Sequence, residues 1–197
     1  MSFHHLPGSA GDPIQPDLSW LDGELVVTEK LDGGELTFTR DGVHGPGGTP
    51  TSPWDRPATA LWTMIAHHIP DGWRVCGESM WARRGIAYVD LPGVFMVFGI
   101  WDETDTLLGW DDTVDWAERL ELPVVPVLYR GASLSEARAA WGLQRDASAS
   151  EGFVLRSAGR IPAAEFSHRL LKWVRADHVR TDDAWRHRDD FEVNEFA

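Results

Sequence analysis

The chain has 197 residues, 43% of them apolar and 25% charged, enough for one well-packed domain and too apolar for a wholly disordered polymer. Its 18 Lys and Arg stand against 31 Asp and Glu, a net charge of −13, so the surface as a whole repels phosphate backbones and any nucleic-acid binding has to be local. The single cysteine, Cys76, excludes an internal disulfide, and neither a basic-then-apolar leader nor an apolar run of membrane-spanning length is present. The expectation is a cytoplasmic, reduced, soluble protein with no membrane partner.

In chain order, residues 1–20 are rich in Gly, Pro and Ser and are expected to be irregular. The stretch "VVTEKLDGGELTFTRDG", 26–42, sets a β-branched run before Lys30 and an alternating run after it. This predicts two strands, with Lys30 where the chain leaves the sheet and turns back. "GVHGPGGTPTSP", 42–53, reads as a loop. Leu61, Met64, Ile65 and His68 recur at helical spacing behind a proline, giving a helix over 57–68. Strands follow at "WRVCGE", 73–78, and at "GVFMVFGIWD", 93–102, then a helix from Asp111 or Asp112 to about Leu120 with an acidic cap. "VVPVLY", 124–129, is a further strand, and Ser133 and Glu136 stand at capping-box spacing before the next helix. "EGFVLR", 151–156, and "HRLLKWVR", 168–175, complete the strands, and 186–197 is expected to be irregular. Strands outnumber helices, so the fold class is α+β, antiparallel sheets flanked by helices in a single domain over 1–197.

The eleven tryptophans are accounted for by core and surface cover. The basic residues cluster at Arg83 and Arg84 and again at Arg169, Lys172, Arg175, Arg180, Arg186 and Arg188, while acids crowd 102–121; charge alone makes such clusters solvated faces before it makes them binding sites. Four short segments matter more: "EKLDG" at 29–33, "CGESMWARRGIAY" at 76–88, "EGFVLR" and "LLKWVR", 170–175. Each lies on or at the end of a predicted strand. Singly they read as a turn lysine, a strand carboxylate, a loop acid and an outward strand lysine; their order along one chain is the informative feature.

That ordered series resembles the covalent nucleotidyltransferases, most closely the nick-sealing branch of the ATP-dependent RNA ligase family. It runs from "HHLPGS", 4–9, to "LLKWVRADHVRTDDAW", 170–185. The resemblance implies a nucleotidyltransferase (ATP-grasp-like ligase) catalytic domain, with no sign of the OB-fold module of DNA ligases, and a monomer. It also implies a reaction in three steps: lysyl-AMP formation, transfer of AMP to a 5′-phosphate, and displacement of AMP by a 3′-hydroxyl. Lys30 would be the nucleophile. Because the attack asks for a neutral amine, Lys172 and a divalent ion, Mg2+ or Mn2+, would assist it, with Arg175 also meeting the phosphates. By the same resemblance Glu151 helps hold the metal, Glu78 takes the ribose hydroxyls, Glu29 lies beside the adenine edge, Phe98 stacks on the base, and Asp32 and Gly33 complete the nucleotide site. ATP and a nucleic acid with 5′-phosphate and 3′-hydroxyl ends are the implied partners.

The chain also departs from that pattern. Gly34, Glu35 and Leu36 stand where relatives have Glu-Asn-Thr, and "HGPGG", 44–48, lacks the arginine of the relatives' His-Ala-Arg-Ser segment, with Arg40 several residues away. Lys172 and Arg175 stand where many ligases have two lysines separated by one residue. Two expectations therefore stand side by side: an RNA ligase that seals breaks, and a diverged nucleotide-binding or self-adenylylating protein that no longer joins ends.

Overall fold

The structure is a computed structural model that describes residues 4–10, 13–15, 17–19, 21, 23–144, 150–176 and 192–197. Arg180, Arg186 and Arg188 lie outside the described residues. Two sheets form the body. The first runs β1 (His4–His5), β11 (Leu170–Val174), β9 (Gly152–Ser157), β2 (Leu25–Lys30), β8 (Val127–Gly131). The second runs β10 (Ile161–Pro162), β7 (Thr106–Leu107), β6 (Phe95–Trp101), β5 (Arg74–Ser79), β3 (Gly34–Phe38), β4 (Val43–His44). Every strand pair is antiparallel except β1 with β11.

Alternation along the strands distributes the core. From β2, Leu25 and Val27 join Phe153, Leu155 and Leu171 under α3 (Leu134–Gln144), whereas Val26 faces inward to Met80, Met96 and Trp110. Cys76, Trp101, Leu107, Ile161, Phe166 and Leu170 carry the contact between the sheets further along. The far side of the second sheet is closed by α1 (Arg56–Ile65) and α2 (Trp110–Arg119), around Phe38 and Phe95 stacked at 4.0 Å. Each such side chain contributes roughly 1.5–3 kcal/mol on burial, and the layers hold the two sheets face to face.

Several sequence expectations shift. Lys30 ends its strand as expected, but β2 and β3 belong to different sheets, so the chain crosses between layers at Leu31–Gly33 instead of turning back. The region 1–20 is not irregular throughout, because His4 and His5 pair with Leu171 and Lys172. The expected loop at 42–53 begins as β4 and a tight Gly45–Gly48 turn, hydrogen bonded in both directions. The helix at 57–68 ends at Ile65 and tightens into a 3-10 turn over Ala66–His68, with Met64 in solvent. The helix placed at 111–120 is capped at Gly109 without a side-chain bond; Asp111 and Asp112 occupy its first turn, where they favour the helix dipole.

The strand placed at 124–129 starts at Val127, since Val124 and Val125 instead bond the other sheet at Val97. His168 and Arg169 end a short helix, α4 (Phe166–Arg169), and the last strand begins only at Leu170. Half of the capping box forms: Ser133 Oγ accepts from the Glu136 N–H at 3.3 Å, while the Glu136 carboxylate accepts from the Tyr129 hydroxyl at 2.7 Å. Of the end expected to be irregular, 186–191 lie outside the described residues, and 192–197 form no strand or helix but are held by isolated bridges. Residues 192–197 lie along 81–91, with Val193 bridging Ala82, Phe196 bridging Leu91 and stacking on Trp81 at 5.7 Å, and buried Asn194 donating to Met80 and accepting from the Tyr88 N–H.

Candidate active site

Register brings the scattered motifs together. Across β2, β9 and β11, Lys30 faces Gly152, Thr28 faces Val154, and Val154 faces Lys172. A one-residue step earlier, Glu151 places Oε2 2.6 Å from Lys30 Nζ, with only 22% and 10% of the two side chains exposed. The Glu151 carbonyl accepts the Arg175 N–H at 3.2 Å. Gly152 has to be glycine, because a Cβ there would run into the Trp173 carbonyl.

The turn after Lys30 is fixed from behind. The Asp32 N–H donates to the Tyr88 hydroxyl at 2.9 Å and Asp32 Oδ2 accepts the Gly85 N–H at 2.8 Å. An added Cβ on Gly33 would meet Met80 Sδ at 2.7 Å and the Ser79 carbonyl at 2.9 Å, so the turn lies directly on the end of β5. Burial and the charges of Glu29, Asp32 and Glu151 push the Tyr88 phenol far up, keeping it a neutral hydroxyl at the Asp32 N–H.

Lys30, Glu35 and Glu78 stand between two cavities. The smaller, about 130 Å³, lies between the sheets and is walled by Thr28, Glu29, Leu31, Phe98, Val125, Val154, Arg156, Leu170 and Lys172. Phe98 reaches it through an irregularity in the ladder: Gly77 pairs with Val97 and Cys76 with Gly99, leaving Phe98 as the extra residue of a β-bulge. Bulges re-aim side chains in this way next to functional sites. At the back, buried Arg156 donates to the Ser157 and Leu108 carbonyls and lies 5.8 Å from the Trp110 ring, while its Nη1 meets no acceptor among the described residues. Burial pulls its guanidinium down to about 10.

The larger cavity, about 410 Å³, opens on the other side of Lys30 and is lined by Gly33 to Leu36, Gly45 to Ser52, Trp54, Asp55 and Arg84.

Glu78 is half-buried, but its carboxylate end is enclosed, and Oε2 has no hydrogen-bond partner among the described residues. Glu35 sits directly across the ladder from it. Burial pushes the Glu78 carboxyl from 4.5 up to about 8; Lys30 and Arg84 oppose the shift, and Glu35 and Glu151 add to it.

Of the residues expected from the sequence, Lys30, Glu29, Glu78, Phe98 and Lys172 line the small cavity, Glu151 touches Lys30, and Gly33 lines the large one. Asp32 and Arg175 line neither; Asp32 anchors the turn. Arg156, Tyr88, Arg84 and Asn194 were assigned no site role from the sequence, although Arg84 was counted in a basic cluster. The first three lie inside the stretches quoted for their acids, and no local signal marks Asn194.

No group of three or more His, Cys, Asp or Glu forms a metal cage among the described residues. The carboxylate of Glu151 beside Lys30 is a hard oxygen donor of the kind that suits a Mg2+ or Mn2+ ion drawing most of its ligands from phosphates and water. No described helix is long and apolar enough to cross a membrane.

The family pattern described as RNA ligase matches residues 23–174. No curated protein sequence matches the chain significantly. Among solved structures, an RNA ligase of Naegleria gruberi with PPi superposes with a TM-score of 0.56 at 19% identity over 77% of this chain and 49% of that one. A lysine-to-alanine variant of the same ligase, with ATP and Mn, gives 0.54 at 17% over 77% and 48%. An archaeal ATP-dependent RNA ligase gives 0.53 at 20% over 77% and 42%. The chain thus spans less than half the length of each of these structures, and at such identities the likeness is one of fold.

Proposed function

Since this chain belongs to the RNA ligase family, we propose that it is an ATP-dependent RNA ligase in which Lys30 carries AMP. The carrying observation is the placement of Lys30 Nζ, 2.6 Å from Glu151 at the junction of an apolar cavity and an open polar one. Phe98 offers a flat ring and Val154 an apolar branched wall for a purine, and the enclosed Glu78 carboxyl suits a sugar hydroxyl. Lys172 adds positive charge beside Lys30 on the same sheet face.

In the first step Lys30 Nζ, having lost a proton, forms a bond to the α-phosphorus of ATP. The bond from that phosphorus to its bridging oxygen breaks, and pyrophosphate leaves with the electron pair. In the second, an oxygen of a strand's 5′-phosphate bonds to the same phosphorus, the P–N bond breaks, and Lys30 recovers its proton. In the third, the strand's 3′-hydroxyl attacks the activated 5′-phosphate and AMP departs. Glu151 holds Nζ in place and would supply a protein oxygen for a divalent ion, whose chemistry is neutralisation of phosphate charge.

Incubation with α-labelled ATP and Mg2+ or Mn2+, followed by denaturing electrophoresis, tests the reading. The parent should carry label and Lys30→Ala none. Equal label in both would remove Lys30 as nucleophile. Labelled protein that never passes AMP to a 5′-phosphorylated strand would support instead the self-adenylylating protein without end joining.

A further inference from the structure

The larger cavity has an occupant class of its own. Its walls bring two cations to one space, Lys30 from the end of β2 and Arg84 from the segment after β5, and its far wall, Gly45 to Ser52, carries no charged side chain. Arg84 reaches in over the turn that follows Lys30: its Nη2 lies 3.1 Å from where a Cβ on Gly34 would stand. Its neighbour goes elsewhere. Arg83 is ion-paired with exposed Glu192 of the chain's last residues, and its N–H donates to the Glu192 carbonyl at 2.8 Å. Gly85, on the other flank, is tied to Asp32 at 2.8 Å. The backbone N–H groups of Arg83 and Gly85 therefore anchor the segment, one to residues 192–197 and one to the nucleophile's turn, neither needing the Arg83 side chain, and Arg84 between them is directed into the cavity. Three carboxylates share the walls, Glu35, Asp55 and Glu78.

We infer that this cavity binds a phosphate oxyanion and that Arg84 is its guanidinium fork, on a side of Lys30 that Lys172 and Arg175 do not line and where the loop at 44–48 has no arginine. The inference rests on the proposed ligase reading and deepens it. The phosphate has two sources, the β and γ groups of ATP or the 5′-phosphate of the strand, and one chemistry: planar N–H donors on tetrahedral oxygens.

The experiment compares the parent with Arg84→Ala, Arg84→Gln, Arg84→Lys and Arg83→Ala, after matching thermal melting. Three quantities are read: the KM for ATP in lysyl-AMP formation, the rate of AMP transfer from pre-adenylylated protein to a 5′-phosphorylated RNA, and calorimetric binding of inorganic pyrophosphate. Loss of one charge-assisted contact predicts about a 30-fold defect for Arg84→Ala and Arg84→Gln in at least one of the three, partial recovery with lysine, and a change within about twofold for Arg83→Ala. A defect confined to ATP and pyrophosphate assigns Arg84 to the nucleotide's phosphates; one confined to transfer assigns it to the strand. Both sustain the inference. It is overturned if Arg84→Ala and Arg84→Gln stay within about twofold of the parent in all three, or if Arg83→Ala loses as much. Should the parent form no lysyl-AMP, the ligase reading fails by itself, and pyrophosphate binding still decides: affinity lost with Arg84 upholds the oxyanion site, whereas absent or unchanged affinity ends it.

Discussion

The two cavities that meet at Lys30 are built in opposite ways. The small one is a gap between sheets, walled by side chains whose direction is set by strand alternation and by one bulge: Thr28, Val154, Phe98 and Lys172. The large one is walled by a glycine and proline turn, Gly45 to Ser52, and by Arg84 on a segment held down by residues from the far end of the chain. A wall of packed strands cannot move without opening the core, whereas a wall of turns yields to small substitutions. In the proposed reaction the first would hold a flat base in one pose and the second would admit and release a phosphate.

Removing the ring from the strand-built side should have the largest effect. Phe98→Ala takes away a stacking wall and leaves a cavity, and should raise the KM for ATP in lysyl-AMP formation by about 10- to 100-fold. AMP transfer from protein adenylylated beforehand should fall far less. An equal fall in both steps would mean that Phe98 serves the whole domain and not the base side alone.

Glu78 faces both cavities and sharpens the comparison through pH. With its carboxyl at about 8 it is mostly protonated at pH 7, so its ionised fraction rises roughly tenfold between pH 7 and 9. Nucleotide affinity that uses the ionised form as acceptor should climb by that factor, and Glu78→Gln should flatten the profile. Stability runs the other way. Between its ordinary value of 4.5 and about 8 the native state holds one proton more than the unfolded chain. Stability should therefore fall as pH rises across that window and level off above it. Denaturant midpoints of parent and Glu78→Gln at intervals over this range would expose a parent without the extra slope, and with it a carboxylate that ionises normally.

The smallest expected effect is a gain on the loop-built side. A Cβ at Gly45 meets only ordinary contacts, the nearest at 3.5 Å on Leu36, so Gly45→Arg adds a cation without disturbing the turn. Transfer of AMP to a single-stranded RNA should improve a few-fold at low salt and acquire a salt slope steeper by about 0.7 per phosphate engaged. Lysyl-AMP formation should hardly change. A matching gain in both steps would show that the added charge acts on ATP and that the two sides are not separate.

Periodicity and composition were enough to locate most elements, because strands and helices write their burial into spacings of 2 and 3.6 residues. Lys30, Glu78, Phe98, Glu151 and Lys172 were each identifiable as strand or strand-end residues for the same reason. Boundaries moved where a neighbouring layer competed for the backbone, as at Val124 and Val125, which bond across to Val97 instead of extending β8. The ends of the chain misled because Gly, Pro and charge read as irregular, while His4, Asn194 and Phe196 are held by partners far away in sequence.

By itself the sequence determined the α+β class, the lysine at the end of a buried strand, and the order of acids and cations behind it, since these are local patterns of residue type. Only the tertiary structure decided that Lys30 stands between two sheets and not in a hairpin. It alone brought Glu151 within 2.6 Å of Nζ, aimed Phe98 through a bulge, and separated Arg84 from Arg83. Each of these depends on register and on packing between segments tens of residues apart, information that no stretch of the chain carries until its partners are in place.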